Sequence, residues 1–132
     1  MADLYTYGKP TRLSREAPVM IIEYENEALV PGGAANNVAN LLALGAEVQA
    51  GGLVGDDGRG RELLAELARR GAILDGVCIA RERRTICKER IMAGDLHTTK
   101  QQVVRVDRSP GSPVSPDEEQ ARDHDGDHER AE

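Results

Sequence analysis

"PGGAANNVANLLALGA", residues Pro31 to Ala46, decides how the rest of the chain is read. Two glycines lead into apolar residues at helical spacing, Ala35, Val38, Ala39, Leu41 and Leu42, and Gly45 supplies the stop expected just past a helix end. Bare backbone ahead of a helix N-terminus lets a ligand reach N–H groups, and the helix dipole there favours an anion or hydroxyl oxygens. Asn36 and Asn37 add amides that both donate and accept, which suits a polyol. Close packing of a helix on a sheet asks for the same small residues, so this stretch alone leaves both readings open.

Upstream, Val19 to Tyr24 and Ala28 to Val30 are short β-type runs around a polar Glu25-Asn26-Glu27, which predicts a hairpin over 19–30. Downstream, Val48 to Val54 suits a buried strand that leaves through the turn Gly55-Asp56-Asp57-Gly58. A second helix follows, with Leu63, Leu64, Leu67 and Ala68 on one face, Asp57 or Asp56 as its cap and Gly71 as its stop. Gly76 to Ala80, Thr85 to Met92 and Gln101 to Asp107 read as three further strands. Alternating strands and helices predict an α/β layer with an attached β flap.

After Arg108 the character changes. Ser109 to Pro116 is a proline-rich connector, and Asp117 to Glu132 has almost no apolar residues, so 109–132 is expected to be a disordered tail. That tail holds eight acids and two bases and so carries the whole net charge of -6, leaving residues 1–108 neutral. Neither part has the basic excess that binding to nucleic acid through phosphates requires. No apolar run approaches the ~20 residues of a membrane span, and the N-terminus lacks a basic segment followed by an apolar one. A cytoplasmic location, with no membrane and no nucleic acid among its partners, is the expectation. Cys78 and Cys87 sit in apolar stretches without C-x-x-C spacing and read as buried, reduced thiols. With no Phe or Trp and only three Tyr, the core must be built from aliphatic residues.

Several apparent motifs carry little. "GDDGRG", residues 55–60, lacks the G-x-G-x-x-G order, and no G-K-[ST] follows. In "DHDGDH", residues 123–128, the sixth position of a calcium loop is His128 rather than Gly, so no metal site is expected. His97 has no Cys or second His near it in sequence and reads as an exposed turn residue.

Across "YGKPTRLSREAPV", "PGGAANNVANLLALGA", "VGDDGRGRELLAEL", "RTICKERI" and "QQVVRVDR" the chain resembles the ribokinase-like (PfkB) carbohydrate kinases. "SREAPV" with "QQVVRVD" makes it most similar to their D-glycero-β-D-manno-heptose 7-phosphate kinase branch. The resemblance implies a partial ribokinase-like fold over 1–108: a central, mostly parallel sheet with flanking helices, and a small β-hairpin lid at 19–30. It implies ATP-dependent phosphorylation of a sugar phosphate at C1, a step towards ADP-heptose for lipopolysaccharide. Asp3, Gly32, Gly33 and Asn36 match the sugar-side positions. Lys88 and Arg90 match positions facing the phosphorylated substrate, where an arginine engages phosphate bidentately. A homodimer through the lid is a further implication.

Family members carry a strand ending in Gly-Asp ahead of the position of Asp3 and, far downstream, D-T-x-G-A-G-D, which holds the anion hole and the general base. Neither occurs in these 132 residues. The sequence therefore reads as an N-terminal fragment of the kinase domain whose tail resembles a shifted reading frame, with no catalytic residue of its own; a non-catalytic sugar-phosphate binding module and a non-functional gene remnant are the alternative readings. ATP and magnesium serve the family, but the ATP site is expected to be absent here, and so is turnover by the chain alone.

Overall fold

Strand β1, Ala2–Leu13, sets the architecture. The computed structural model describes residues 1–95, 98–111, 113 and 116, and in it β1 pairs antiparallel with β2, Met20–Pro31. The chain reverses through Ser14–Val19, where the Ser14 amide donates to the Val19 carbonyl at 2.8 Å. The hairpin expected within 19–30 is thus corrected. Glu25, Asn26 and Glu27 lie inside one uninterrupted strand, paired with β1 at Tyr7 and Thr6, and the true hairpin is β1 with β2. This long two-stranded ribbon has register shifts at Tyr7/Gly8 and Pro10/Arg12, which accommodate the glycine and proline that disguise β1 in the sequence.

Helix α1, Ala34–Ala43, and helix α2, Gly58–Arg69, flank strand β3, Gln49–Gly55. Both helices stop as the sequence predicts. Gly45 and Gly71 hold φ of 85° and 96°, and their amides and those of the next residues close the ends onto Leu42 and Leu41, and onto Ala68 and Leu67. That is the Schellman pattern, which glycine favours because the left-handed region strains a residue with a Cβ. Strands β4, Ile73–Ala80, β5, Cys87–Ala93, and β6, Gln101–Arg108, complete the order.

One sheet runs β2-β1-β5-β6 and a second pairs β3 with β4. The fold class is α/β as expected, with a mixed sheet composition. β1–β5 and β3–β4 are parallel, whereas β1–β2 and β5–β6 are antiparallel. Residues two apart in a strand share a face. Ala2 and Leu4 of β1 and Cys87 of β5 point to the helices and meet Ala35, Val54, Leu63 and Leu67 in the core. Asp3, Tyr5 and Tyr7 take the other face, beside Lys88, Arg90 and Met92 in the parallel register. The core is aliphatic, as the composition requires, and no tyrosine enters it. Cys78 and Cys87 are both free thiols; Cys87 is fully buried and Cys78 half-buried. His97 and the acidic tail from Asp117 onward lie outside the described residues. Among the described residues no helix is long and apolar enough to cross a membrane.

Candidate functional site

The turn that opens α1 and the outer face of β1 and β5 meet around one carboxylate. Asp3 follows Ala2, whose amide donates to the Ile86 carbonyl at 2.8 Å just ahead of β5. That bond starts a ladder in which Asp3 stands opposite Lys88, and Tyr5 opposite Arg90. Arg90 Nη1 donates to Asp3 Oδ1 at 2.7 Å, the two side chains being 21% and 17% exposed. The Asp3 hydrogen bond raises Arg90 further above its ordinary value against an opposing effect of burial. The guanidinium also lies over the Tyr5 ring, 5.3 Å from its centroid, and Tyr5 stacks with Tyr7 at 6.4 Å.

The first glycine of the Gly-Gly pair has a definite job here. Gly32 is buried, and a Cβ on it would overlap Asp3 Oδ2 and stand 2.8 Å from Asp3 Cγ. The carboxylate therefore occupies the space that a side chain would take. Gly33, at φ 56° and ψ -127°, turns the chain into α1 as its N-cap without a side-chain cap, and the first turn carries no acid. The Gly32 and Gly33 carbonyls accept from the amides of Ala35, Asn36 and Asn37 at 3.0 to 3.3 Å. Asn36 is exposed in that first turn.

Lys88 is half-buried on β5 and makes no side-chain hydrogen bond or ion pair among the described residues. Its register neighbours are Asp3 on one side and Asp107 on the other, and Asp107 is engaged by Arg105 at 2.8 Å. An ammonium that no described residue engages is free to meet an anion. The structure thus brings Asp3, Gly32, Lys88 and Arg90 together, while Gly33 and Asn36 follow in the first turn of α1. Tyr5, which the sequence reading passed over, belongs to the same face. Alternation of Asp3, Tyr5 and Tyr7 is the signal that would have found it.

A cleft of about 180 Å³ lies elsewhere, between α1, α2 and β3, lined by Val38, Val54, Leu63, Leu64, Leu67 and Val77 among others. None of the six predicted residues lines it. Nor does "GDDGRG" offer a phosphate cradle. The Gly55 and Gly60 amides are already spent on Thr85 Oγ1 and Asp57 Oδ1, at 3.0 and 2.7 Å.

Comparison with known proteins bears on this geometry. The sequence profile described as pfkB family carbohydrate kinase matches residues 4–118. The bifunctional protein HldE of Pelobacter propionicus is 43% identical over 115 residues, which are 87% of this chain and 22% of that protein. HldE of Helicobacter pylori is 43% identical over 117 residues, 89% of this chain and 24% of its own length. The chain thus spans about a quarter of the curated relatives it matches. Among solved structures, a ribokinase of Arabidopsis thaliana complexed with ribose and ATP aligns with TM-score 0.58 at 17% identity, covering 91% of this chain and 38% of that one. A carbohydrate kinase of Agrobacterium tumefaciens aligns with TM-score 0.58 at 20% identity, over 81% of this chain and 33% of its own. At these identities the structural likeness shows the fold, which is ribokinase-like.

Proposed function

The chain belongs to the pfkB family of carbohydrate kinases, and on that premise we propose that it carries the sugar-phosphate face of a heptose 7-phosphate kinase domain. The observation that supports this reading most is the unpartnered, half-buried Lys88 beside the Arg90–Asp3 pair. Lys88, Arg90 and Asp3 on one face, next to bare backbone at Gly32, suit a ligand that is anionic at one end and hydroxylated at the other. Lys88 offers three donors to a phosphate. Arg90, with one nitrogen engaged by Asp3, keeps the rest of its fork for a phosphate oxygen. Asp3 Oδ2 lies next to Gly32 and accepts from a sugar hydroxyl, and Gly33 and Asn36, which follow Gly32 into α1, are assigned to the same ligand.

Heptose as the sugar is favoured by the 43% identity to the HldE proteins over most of this chain. Phosphoryl transfer depends on positioning and on stabilising the charge of the transferred group. In the same reading, the chain by itself binds the sugar phosphate without turning it over. A homodimer through Val19 to Val30 belongs to the same reading. Exposed Met20 and Tyr24 on β2 support it by offering apolar surface.

Thermal unfolding of the purified chain with heptose 7-phosphate, with unphosphorylated heptose and with inorganic phosphate, each with and without ATP and magnesium, tests the proposal. A midpoint raised by the sugar phosphate and indifferent to ATP is expected, since a ligand at 100 times its Kd adds ~2.7 kcal/mol. Sugar-dependent ATP turnover above a blank overturns the claim of inactivity. A midpoint that ignores the sugar phosphate overturns the binding face.

A further inference from the structure

Where β3 hands over to α2, the turn is tied to a residue 28 positions away. Asp57 Oδ1 accepts from the Gly60 amide at 2.7 Å and from the Thr85 hydroxyl at 2.8 Å, while Oδ2 accepts from the Thr85 amide at 2.8 Å. Thr85 Oγ1 in turn accepts from the Gly55 amide at 3.0 Å. Thr85 is only 4% exposed, and no buried side-chain polar atom among the described residues lacks a partner. The glycines make room for it. A Cβ on Gly55 would stand 2.6 Å from the Thr85 amide, and one on Gly60 would stand 2.7 Å from the Thr85 hydroxyl.

An N-cap needs only one of these bonds, that from Gly60. The other two fix Thr85, two residues before β5 begins. Next to it the Ile86 carbonyl receives the Ala2 amide at 2.8 Å. Thr85 and Ile86 are thus pinned from opposite sides, by α2 and by β1, with no slack before Lys88.

We propose that Asp57 is a positioning residue for the substrate face: by clamping Thr85 it sets the register in which β5 enters beside β1, and so holds Lys88 opposite Asp3 and Arg90 opposite Tyr5. The proposal rests on the reading of that face as the sugar-phosphate site, and extends it to a residue in the turn between β3 and α2. Burial pushes the Asp57 carboxyl up, but the bonds from Thr85 and Gly60 outweigh it and hold the carboxylate below its usual range, so it stays an acceptor at neutral pH.

Asp57→Asn separates the two roles. Its amide oxygen still accepts from Gly60 and the Thr85 hydroxyl, but its NH₂ meets the Thr85 N–H, donor against donor. In the full chain, hydrogen exchange of α2 and β5 amides and the NMR shift of Arg90 Nε are read without ligand, and the Kd for heptose 7-phosphate is read by calorimetry. Asp57→Asn is expected to speed exchange in β5 about tenfold, the loss of one buried hydrogen bond, with α2 unchanged. Arg90 Nε shifts as its pairing with Asp3 loosens, and the Kd weakens about tenfold. Thr85→Ser, which keeps the hydroxyl and the amide, retains wild-type values in all three. An Asn variant that changes α2 but leaves β5, Arg90 and Kd alone makes Asp57 a plain cap and overturns the proposal. Equal acceleration in α2 and β5 overturns it too, as general destabilisation. If the wild type fails to bind the sugar phosphate, the functional reading fails, while exchange and the Arg90 signal still decide the positioning role.

Discussion

Replacing Gly32 with alanine should set two opposing effects against each other. Gly32 does not have a positive φ, so its backbone accepts a Cβ without strain. Alanine there stiffens the unfolded chain and stabilises by about 0.4–1 kcal/mol. Against this, the new methyl lands on the Asp3 carboxylate, at 2.8 Å from Cγ and 3.3 Å from the Asp3 amide. The carboxylate must swing away from Arg90, breaking a part-buried, charge-assisted hydrogen bond of 2.7 Å, which contributes about 1.5–3 kcal/mol. Loss exceeds gain, and the net destabilisation expected is about 1–2 kcal/mol. Urea unfolding of four proteins measures it: wild type, Gly32→Ala, Asp3→Ala and the double variant. In the Asp3→Ala background the methyl has room, so the second substitution should become neutral or mildly stabilising. An equal cost of Gly32→Ala with and without the Asp3 carboxylate would refute the claim that this glycine exists to seat it.

Other consequences are open to measurement. Leu63, 2% exposed at the centre of the core, should cost about 2–5 kcal/mol on change to alanine, whereas Leu44, 84% exposed, should cost under about 0.5 kcal/mol in the same urea titration. Cys78 should react with a thiol reagent well before Cys87, which is fully enclosed and whose thiol burial pushes up; equal rates under native conditions would contradict the packing of β5. Acid should weaken the fold in a defined window. Glu66 is held at about 2 by hydrogen bonds from Arg69 and then Arg70, and Asp57 also lies below its usual value. Depressed carboxylates add stability that is complete above their unfolded values, near 4.5 and 3.8, and is lost as pH falls through the folded ones. The urea midpoint should therefore hold from pH 7 to about 5 and drop below that. Glu66 should account for under about 1 kcal/mol of the drop, because its ion pairs are near the surface.

How much of this was legible in the sequence depends on how local the cause was. Helices α1 and α2 were readable because their signals are short-range: apolar spacing inside, Gly45 and Gly71 at the ends, and Asp57 at the start of the second. Strand β1 was not. Its apolar residues on the buried side are only Ala2 and Leu4, and beyond Gly8 the ribbon leaves the core, so Lys9, Thr11 and Arg12 are exposed and the alternation fades. The same departure misplaced the hairpin. Glu25, Asn26 and Glu27 are polar because β2 is exposed there, and a polar triplet in the sequence looks like a turn whether the chain bends or not. The real bend, Ser14 to Val19, carried the resemblance to the heptose branch but no strong dipeptide turn signal.

For the candidate site the gap is one of distance along the chain. Each of Asp3, Gly32, Asn36, Lys88 and Arg90 was singled out, yet nothing local says that Arg90 pairs with a carboxylate 87 residues away, or that the glycine serves that carboxylate. Both follow once β1 and β5 are parallel in the register Asp3 to Lys88. That register has its own origin outside the site, in the Ala2–Ile86 bond and the Asp57–Thr85 knot. The geometry of the proposed sugar-side face is therefore a property of how two sheets are joined. Asp57→Asn, which touches none of the six predicted residues, should move it more than conservative changes on the face itself.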